Sequence, residues 1–420
     1  MEYIYWVFVK LYGFAIKTAA FFHLKAKDWV IGRRFYFQAL RYRLVPGEKR
    51  IWFHCSSLGE FEQGKPMLEQ LRIRYPNHKI VLTFFSPSGY NIKKNDPAAD
   101  YVIYLPLDGP VNSRRFIELV KPVFVVIVKY EFWHFYIKAL YERKIPVFVI
   151  SAVFRPSQIY FKNYGKFFYR ILQRITHIFV QDQASLELLY NNSLTNVSVS
   201  GDTRFDRVAA NRAKNQTING LREFKNHLQI FIAGSTWPAD ENLIVPFINS
   251  GTKGWKYIIA PHEINNHAIH KLKKQIERPV VLYSEIVKTK DYSFLAEKEV
   301  LIIDNVGLLS KLYAYGDVAY IGGGFGAGIH NILEATVFGL PVYFGPNYQK
   351  FKEAVELVKL STVFPITDNT SLAESFSALT DNKTLMEEIN KKNIQYVDGK
   401  CGATDVITNY LNMNYPEKNT

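Results

Sequence analysis

Short apolar runs alternate with longer amphipathic segments along most of this chain. The runs are rich in β-branched and aromatic residues, and residues 123–128 are apolar throughout, as strands buried on both faces are. This alternation predicts an α/β fold built from doubly wound parallel sheets. The predicted strands are 50–54, 79–84, 101–105, 123–128, 145–151, 175–180 and 197–200 in the first half, and 229–233, 256–260, 280–283, 300–303, 318–321 and 341–344 in the second.

A polar segment without a strong apolar period, residues 208–227, separates the two sets of strands. A chain of 420 residues is too long for a single core, so we place a linker in this segment. The prediction is a first domain over residues 28–207 and a second over 228–400. Residues 401–420 follow the completed second sheet, and we expect them to form a helix that crosses back to the first domain.

The N-terminal segment is apolar and aromatic, but two lysines interrupt it. Lys10 and Lys17 are seven positions apart within residues 3–24 and so share a helix face. Two lysines inside a spanning helix would cost several kcal/mol, and the segment lacks the small-residue cleavage site of a signal peptide. Residues 1–27 therefore predict a helix that lies in a membrane surface. The alternative is a buried core helix of the first domain.

Positive charge is concentrated at the same end of the chain. The formal net charge is +14, and residues 1–50 carry ten Lys and Arg against three acidic residues, a net +7. No sequence signature of a nucleic-acid-binding protein accompanies this charge. We therefore expect residues 1–50 to bind an anionic membrane surface on its cytoplasmic side, and we expect no nucleic-acid partner.

The cysteine and histidine content predicts neither a disulfide framework nor a metal site. Cys55 and Cys401 are the two cysteines of the chain, which fits a reducing compartment. Neither His262 nor His330 has a second ligand at i+3 or i+4 in a recognisable zinc-site pattern. We therefore expect no enzyme-bound metal.

Three charged residues follow predicted strands of the first domain. Glu60 lies just beyond the first strand, on the first turn of a predicted helix that Ser56 or Ser57 caps, and Glu131 follows the strand 123–128. Arg155 follows the strand 145–151. Carboxyl ends of parallel strands share one edge of a sheet, so the three residues predict an acid–base and anion-binding cluster. The alternative for Glu60 is a partner of the helix dipole.

A glycine-rich stretch, residues 317–346, dominates the second domain. A strand leads into a loop that contains Gly322, Gly323 and Gly324, and a helix is predicted from about 329–331 to 338. Backbone amides of such a loop and helix start can bind phosphate, and Asn331 and Glu334 project from one helix face towards a ribose. Residues 317–346 therefore predict a nucleotide-sugar site. Ser235 and Thr236 after an earlier strand are a second phosphate site or simple helix caps.

Eight segments in order along the chain carry a family resemblance. They are WFHCSSLGE (52–60), KYEFWH (129–134), ISAVFRPS (150–157), VSGDTRFDRV (199–208), AGSTWPADE (233–241), APHE (260–263), DNVGLLSKLYAYGDVAYIGGGF (304–325) and GIHNILEATVFGLPVYFGP (328–346). The set resembles the 3-deoxy-D-manno-octulosonic acid (Kdo) transferases of lipopolysaccharide synthesis. These are GT-B glycosyltransferases, with two Rossmann-like domains that face each other across a cleft.

The resemblance implies transfer of Kdo from CMP-Kdo to a hydroxyl of a lipid A precursor, lipid IVA, with inversion at the anomeric carbon and without a cofactor. It implies an acceptor-binding first domain, a CMP-sugar-binding second domain and a place at the cytoplasmic face of the bacterial inner membrane. Glu60 would be the general base and Glu131 a second active-site carboxylate. The substrate-binding residues would be Ser57, Gly59, Arg155, Ser235, Thr236, His262, Gly322, Gly323, Gly324, His330, Asn331 and Glu334.

The chain departs from the family pattern at two of these positions. The family commonly has Thr-Glu where Tyr130-Glu131 stands, and an Arg near His262 that this chain lacks between Pro261 and Glu263. His262 is then the candidate hydrogen-bond donor to phosphate. Two other functions fit part of the pattern: a GT-B enzyme that uses a UDP- or GDP-sugar, and a non-catalytic, membrane-docked nucleotide-sugar-binding protein.

Overall fold

The computed structural model describes residues 1–214, 217–289 and 291–417. The chain forms two compact units, Met1–Arg207 with Cys401–Thr420, and Val208–Lys400. Each unit has its own seven-stranded, all-parallel sheet, with helices between successive strands. The predicted α/β class with two doubly wound sheets is confirmed.

The first unit contains β1–β7, and its sheet has the strand order β3-β2-β1-β4-β5-β6-β7. Its strands are β1 Arg50–Cys55, β2 Lys79–Phe84, β3 Tyr101–Tyr104, β4 Pro122–Val128, β5 Val147–Ala152, β6 His177–Val180 and β7 Val197–Val199. Its helices are α1 Glu2–Ala19, α2 Leu24–Ile31, α3 Tyr36–Arg43, α4 Leu58–Arg74, α5 Pro87–Lys93, α6 Pro110–Val120, α7 His134–Glu142, α8 Lys166–Leu172, α9 Gln183–Asn191 and, from the C-terminal segment, α20 Ala403–Asn414, with 3-10 turns at Ile159–Phe161 and Asn163–Gly165.

The second unit contains β8–β14 in the order β10-β11-β9-β8-β12-β13-β14. Its strands are β8 Gln229–Thr236, β9 Trp255–Pro261, β10 Val280–Leu282, β11 Val300–Ile302, β12 Val318–Ile321, β13 Val342–Phe344 and β14 Val363–Pro365. Its helices are α11 Leu221–Lys225, α12 Pro238–Ser250, α13 Asn266–Gln275, α14 Tyr283–Thr289, α15 Leu309–Leu312, α16 Leu333–Thr336, α17 Lys352–Lys359, α18 Asn369–Thr380 and α19 Lys383–Asp398, with 3-10 turns at Ser293–Glu297 and Tyr313–Tyr315; α10 Thr203–Ala213 contains the boundary between the units.

The segment predicted as a linker, 208–227, is largely helical. α10 continues to Ala213, and α11 buries Leu221 and Phe224 in the core of the second unit. The apolar positions Ile218, Leu221 and Phe224 are three apart, which is a short helical stripe that the polar surroundings conceal. Positions 215 and 216 of the predicted linker lie outside the described residues, as do positions 418–420 of the predicted C-terminal helix.

The C-terminal helix α20 belongs to the first unit. Ile407 and Leu411 are fully buried in a core cluster of that unit beside strands β1, β2 and β4. The Asp206 carboxylate fixes the start of α20, because it accepts hydrogen bonds from the amides of Gly402 (2.6 Å) and Thr404 (2.7 Å) and from the Thr404 hydroxyl (2.6 Å).

One face of α1 packs on the first unit and the other is exposed. The Tyr5 hydroxyl donates to Asp108 Oδ2 at 2.8 Å, and Val9 and Gly13 are buried. The opposite side exposes a row of large apolar side chains, namely Tyr3, Ile4, Phe8, Leu11 and Phe14. Within the described ranges, no single helix has the length and apolar composition needed to cross a membrane; α1 and α2 meet both criteria only as a pair, bent by 119°.

Candidate functional site

Glu60 lies on the first turn of α4, directly beyond strand β1. Its Oε2 accepts the backbone N–H of Ser57 at 3.0 Å, which closes a capping box at the start of the helix. Burial raises the pKa of Glu60, and the charge of Glu131 raises it further, against the opposing effects of His54 and the amides of Ser57 and Ser56. A carboxylate with a raised pKa accepts a proton more readily than an ordinary surface glutamate.

Glu131 follows β4 through a strained turn. Lys129 adopts a left-handed backbone conformation with φ +64°, which is uncommon for residues other than glycine. Burial alone would raise the pKa of Glu131, but His54, Ser56 and Trp133 outweigh it, so the pKa lies below its usual value. The two carboxylates therefore have pKa values shifted in opposite directions, the arrangement that divides acid–base roles within a pair.

His54, the last but one residue of β1, lies beside Glu131 and influences the pKa of Glu60. It was not predicted from the sequence. Its Nε2 is 3.9 Å from Glu131 Oε2, an ion-pair distance longer than a hydrogen bond, and among the described residues neither atom has a hydrogen-bond partner. Its Nδ1 is 2.7 Å from the Thr83 hydroxyl, which also accepts from Trp52 Nε1 at 2.8 Å. When Thr83 donates to Nδ1, the ring proton is on Nε2 and faces Glu131.

Changing Glu131 to Gln should move the acidic limb of the pH–rate profile to lower pH. A base at Glu60 acts only when ionised, so activity falls as the pH drops through its pKa, which burial holds above that of an ordinary glutamate. Removing the charge of Glu131 lowers that pKa and shifts the limb accordingly. Rates measured from about pH 4, close to the pKa of an ordinary glutamate, up to about pH 9 provide the check. An unchanged limb, or the same shift in the exposed control Glu118→Gln, contradicts it.

Two other residues assigned to this site make no direct contact with the carboxylate pair in the described structure. Arg155 is exposed beyond β5, and its amide donates to Gln158 at 3.0 Å. Its charge is nevertheless near Tyr130, whose hydroxyl donates to the Val153 carbonyl at 2.7 Å. Gly59 is exposed, and a Cβ at this position would meet open space, so packing does not require a glycine there.

The glycine loop of the second unit is held by close backbone contacts. A Cβ on Gly322 would lie 2.2 Å from the Ser235 carbonyl oxygen, and one on Gly324 would lie 2.6 Å from the Gly345 nitrogen. Gly323 has φ +93°. The amides of Gly322 and Gly323 already donate, to the Gly234 carbonyl and the Asp240 carboxylate, both at 2.9 Å. These glycines therefore permit close approach of backbone segments, which is a different role from amide donation to a ligand.

Asp240, in the first turn of α12, is the buried centre of this loop and was missed from the sequence. It is 1% exposed, and its oxygens accept from the Tyr320 hydroxyl (2.7 Å), the Gly323 amide (2.9 Å) and the Trp237 amide (2.9 Å). A negative charge in the first turn of a helix is a common pattern, which gave no reason to select it. The carboxylate joins β12, the glycine loop and α12.

Ser235 and Thr236 do not cap α12, because β8 continues through Thr236 and Trp237 precedes the first helical residue. Ser235 has φ +54°, a strained non-glycine residue at the irregularity near the end of β8. The Thr236 hydroxyl donates to Glu241 Oε1 at 3.1 Å. The simple capping role for this pair is therefore wrong, and the strained turn brings Ser235 beside Gly322.

An aromatic stack joins two of the predicted residues to one that was missed. His262 and His330 stack with ring centroids 4.2 Å apart, and Trp237 lies 4.7 Å from His262. Trp237 Nε1 donates to His330 Nε2 at 3.0 Å, so the proton of a neutral His330 is on Nδ1. Burial lowers the pKa of His330, and the neighbouring His262 lowers it further.

The predicted helix after the glycine loop is shorter than expected. α16 has four residues, and residues 329–331 before it are not helical, since the Asn331 side chain accepts the Leu333 amide at 3.2 Å. Asn331 Nδ2 donates to Glu334 Oε1 at 3.3 Å, so the two predicted ligands lie together. Among the described residues, no group of three or more His, Cys, Asp or Glu is placed to hold a metal ion.

Comparisons with known proteins relate most of this chain to one group of enzymes. Residues 31–207 match the model of a family described as 3-deoxy-D-manno-octulosonic-acid transferase. A 3-deoxy-D-manno-octulosonic acid transferase of Aquifex aeolicus is 29% identical over 345 residues, which cover 79% of this chain and 86% of that protein. One from Haemophilus influenzae is 26% identical and covers 88% of this chain and 89% of its own length.

A solved structure shows the same fold at low identity. The crystal structure of a UDP-GlcNAc 2-epimerase from Neisseria meningitidis bound to UDP-GlcNAc superposes with a TM-score of 0.60 at 17% identity. The match covers 87% of this chain and the whole of that one. The likeness concerns the fold alone.

Proposed function

We infer that this chain belongs to the 3-deoxy-D-manno-octulosonic acid transferase family and is a glycosyltransferase that transfers Kdo. We propose that it moves Kdo from CMP-Kdo to a hydroxyl of a lipid A precursor with inversion. The observation that carries the proposal is the carboxylate pair of the first unit. Glu60 and Glu131 follow adjacent strands, and the pKa of Glu60 is raised while that of Glu131 is lowered. Two carboxylates with pKa values shifted in opposite directions can take different roles.

In this mechanism Glu60 accepts the proton of the acceptor hydroxyl. The hydroxyl oxygen forms a bond to the anomeric carbon of Kdo while the bond from that carbon to the CMP phosphate oxygen breaks, and CMP leaves with the electron pair. One displacement inverts the anomeric centre. Glu131 remains ionised beside His54 and stabilises positive charge that develops on the sugar ring.

The second unit would bind the donor. Trp237, His262 and His330 present an aromatic and imidazole surface, and Ser235 lies in the strained turn beside the glycine loop. The Asn331–Glu334 pair offers an amide and a carboxylate for the ribose hydroxyls. Transfer in this proposal needs no resident metal, since the phosphate charge is balanced by donors of the protein.

The test is a transfer assay with the full chain in detergent. We expect CMP release and a Kdo-bearing lipid from CMP-Kdo and a tetra-acylated lipid A precursor, at a rate that EDTA leaves unchanged. UDP- and GDP-sugars at equal concentration serve as donor controls. Turnover with one of those sugars and not with CMP-Kdo would overturn the donor assignment, and CMP-Kdo binding without any transfer would favour a non-catalytic binding protein.

We also propose that the N-terminal helices dock on the cytoplasmic face of the bacterial inner membrane. The turn between α1 and α2 exposes Phe21 and Phe22 at 85% and 82%. Changing both to Ser should weaken binding to vesicles containing anionic lipid by on the order of a hundredfold or more, since burying each aromatic ring contributes about 1.5–3 kcal/mol. Vesicle co-sedimentation gives the measurement. The control Ile73→Ser/Ile92→Ser changes exposed apolar residues elsewhere on the unit, and equal loss there contradicts the docking surface.

A further inference from the structure

An open cavity of about 460 Å³ lies between the N-terminal helices and the body of the first unit. The size lies within the range of about 300–1,000 Å³ typical of small-molecule sites. Its lining residues come from α1, α2, the segment that connects α2 to α3, α3, the loop after β3 and α6. The apolar part of the lining includes Phe14, Trp29, Phe37 and Leu107.

The polar part of the lining carries positive charge. Lys10, Lys17 and Arg33 line the cavity, and none of the described residues that line it is acidic. Lys10 and Lys17 are exposed, and within the described chain neither has a carboxylate partner. An apolar cavity with two unpaired ammonium groups at its rim is complementary to an anion attached to an apolar chain.

Arg33 makes the cavity rigid on one side. Its guanidinium donates to the carbonyl oxygens of Leu105 (2.9 Å), Trp29 (3.1 Å) and Phe85 (2.8 Å) and lies 3.9 Å above the Trp29 ring. Burial lowers the pKa of Arg33 to about 9, so it is still a cation at neutral pH. Trp29 is 7% exposed, and its Nε1 has no hydrogen-bond partner among the described residues, so the lining holds one unused donor.

An aromatic chain connects the cavity wall with the carboxylate pair. Phe85 contacts Trp29 at 5.7 Å and Trp133 at 5.0 Å between ring centroids, and Trp133 is two residues after Glu131. Tyr12 of α1 stacks on Phe85 at 6.3 Å, and the charge of Glu131 contributes to the raised pKa of Tyr12. The cavity and the site therefore belong to one continuous region of the first unit.

We propose that this cavity binds the phosphorylated, acylated part of the acceptor itself, with Lys10 and Lys17 on the phosphate and the apolar lining on an acyl chain. The inference rests on the proposed function, since it assigns an acceptor subsite to the same reaction. Lipid that enters from the membrane reaches the cavity beside α1 and α2, and the aromatic chain through Phe85 leads from there to Glu131. The acceptor is thus anchored while its hydroxyl lies at the base.

The test compares acceptor KM with kcat in neutral detergent micelles, which remove the effect of a charged membrane surface. The variant is Lys10→Glu/Lys17→Glu, and the acceptors are the phosphorylated lipid A precursor and its dephosphorylated analogue. We expect the acceptor KM to rise on the order of tenfold or more for the phosphorylated lipid, as the loss of charge-assisted contacts predicts. The KM for the analogue and the KM for CMP-Kdo should stay within about twofold.

Two further variants separate this subsite from general charge effects. Lys25→Glu/Lys27→Glu changes the net charge equally at exposed positions of α2 that do not line the cavity, and it should leave both acceptor KM values unchanged. Lys10→Arg/Lys17→Arg keeps both positive charges and should have the wild-type KM for both acceptors. An unchanged KM in the Lys10/Lys17 reversal, or an equal rise in the control pair, would overturn the inference alone. Absence of transfer by the wild type would instead overturn the proposed function.

Discussion

Replacing Glu60 by Gln is expected to lower the turnover of the enzyme by on the order of 10²–10⁴-fold, the contribution typical of a positioned general base. The amide cannot accept a proton from the acceptor hydroxyl. The donor KM should be unchanged, because the residues proposed to bind CMP-Kdo belong to the second unit. Single-turnover rates with saturating donor and acceptor give the measurement.

The choice of Gln separates catalysis from folding. Glu60 Oε2 accepts the Ser57 amide at the start of α4, and a glutamine at the same position can keep that hydrogen bond. The thermal midpoint should therefore stay close to that of the wild type. Glu69→Gln, on the same helix and paired with Lys65, is the matched control and should retain full turnover. Full activity of Glu60→Gln would assign the base to another residue.

The Asp240→Ala variant is expected to lose about 3 kcal/mol of unfolding free energy, the cost of leaving partners of a buried carboxylate unpaired. Three donors depend on that carboxylate: the Tyr320 hydroxyl and the amides of Gly323 and Trp237. The donor KM should rise as well, since Trp237 and the glycine loop lose a shared support. Urea unfolding of the full chain and donor titration give the two measurements.

The exposed carboxylate Asp381 provides the control for Asp240. It accepts one hydrogen bond, from the Ser377 hydroxyl at 3.2 Å, at the surface of the same unit. Asp381→Ala should change the unfolding free energy by less than about 0.5 kcal/mol, as surface substitutions usually do. A stable Asp240→Ala variant with normal donor KM would show that the loop keeps its conformation without this carboxylate.

The apolar runs made the architecture predictable. Strands buried on both faces need continuous apolar sequence, and thirteen of the fourteen observed strands lie wholly or mostly inside predicted runs. β14 (Val363–Pro365) was not predicted, because three residues that end in proline at the sheet edge give no periodic signal. α16 was predicted too long, because Asn331 forms a turn where the sequence suggests a helix start.

Residues at strand ends could be selected from the sequence as candidate site residues, but their partners could not. Glu60 and Glu131 follow apolar strands, which selects them from the sequence. His54 and Asp240 contact residues that are distant in sequence: His54 contacts Thr83 on the neighbouring strand β2, and Asp240 on α12 contacts Tyr320 of β12. Neither contact produces a recognisable spacing in the sequence. For the His54–Thr83 contact, the available signal was that each of these polar residues interrupts an apolar strand.

The attachment of α20 to the first unit has a consequence for how the protein is made. The second unit, Val208–Lys400, is a continuous segment inserted between two parts of the first, and Asp206 joins the two parts at Gly402 and Thr404. During synthesis from the N-terminus, the whole second unit leaves the ribosome before Ile407 and Leu411 can complete the first core. The second unit is thus able to fold before the first unit receives its last helix, and a gene fragment that stops at Arg207 encodes an unfinished core.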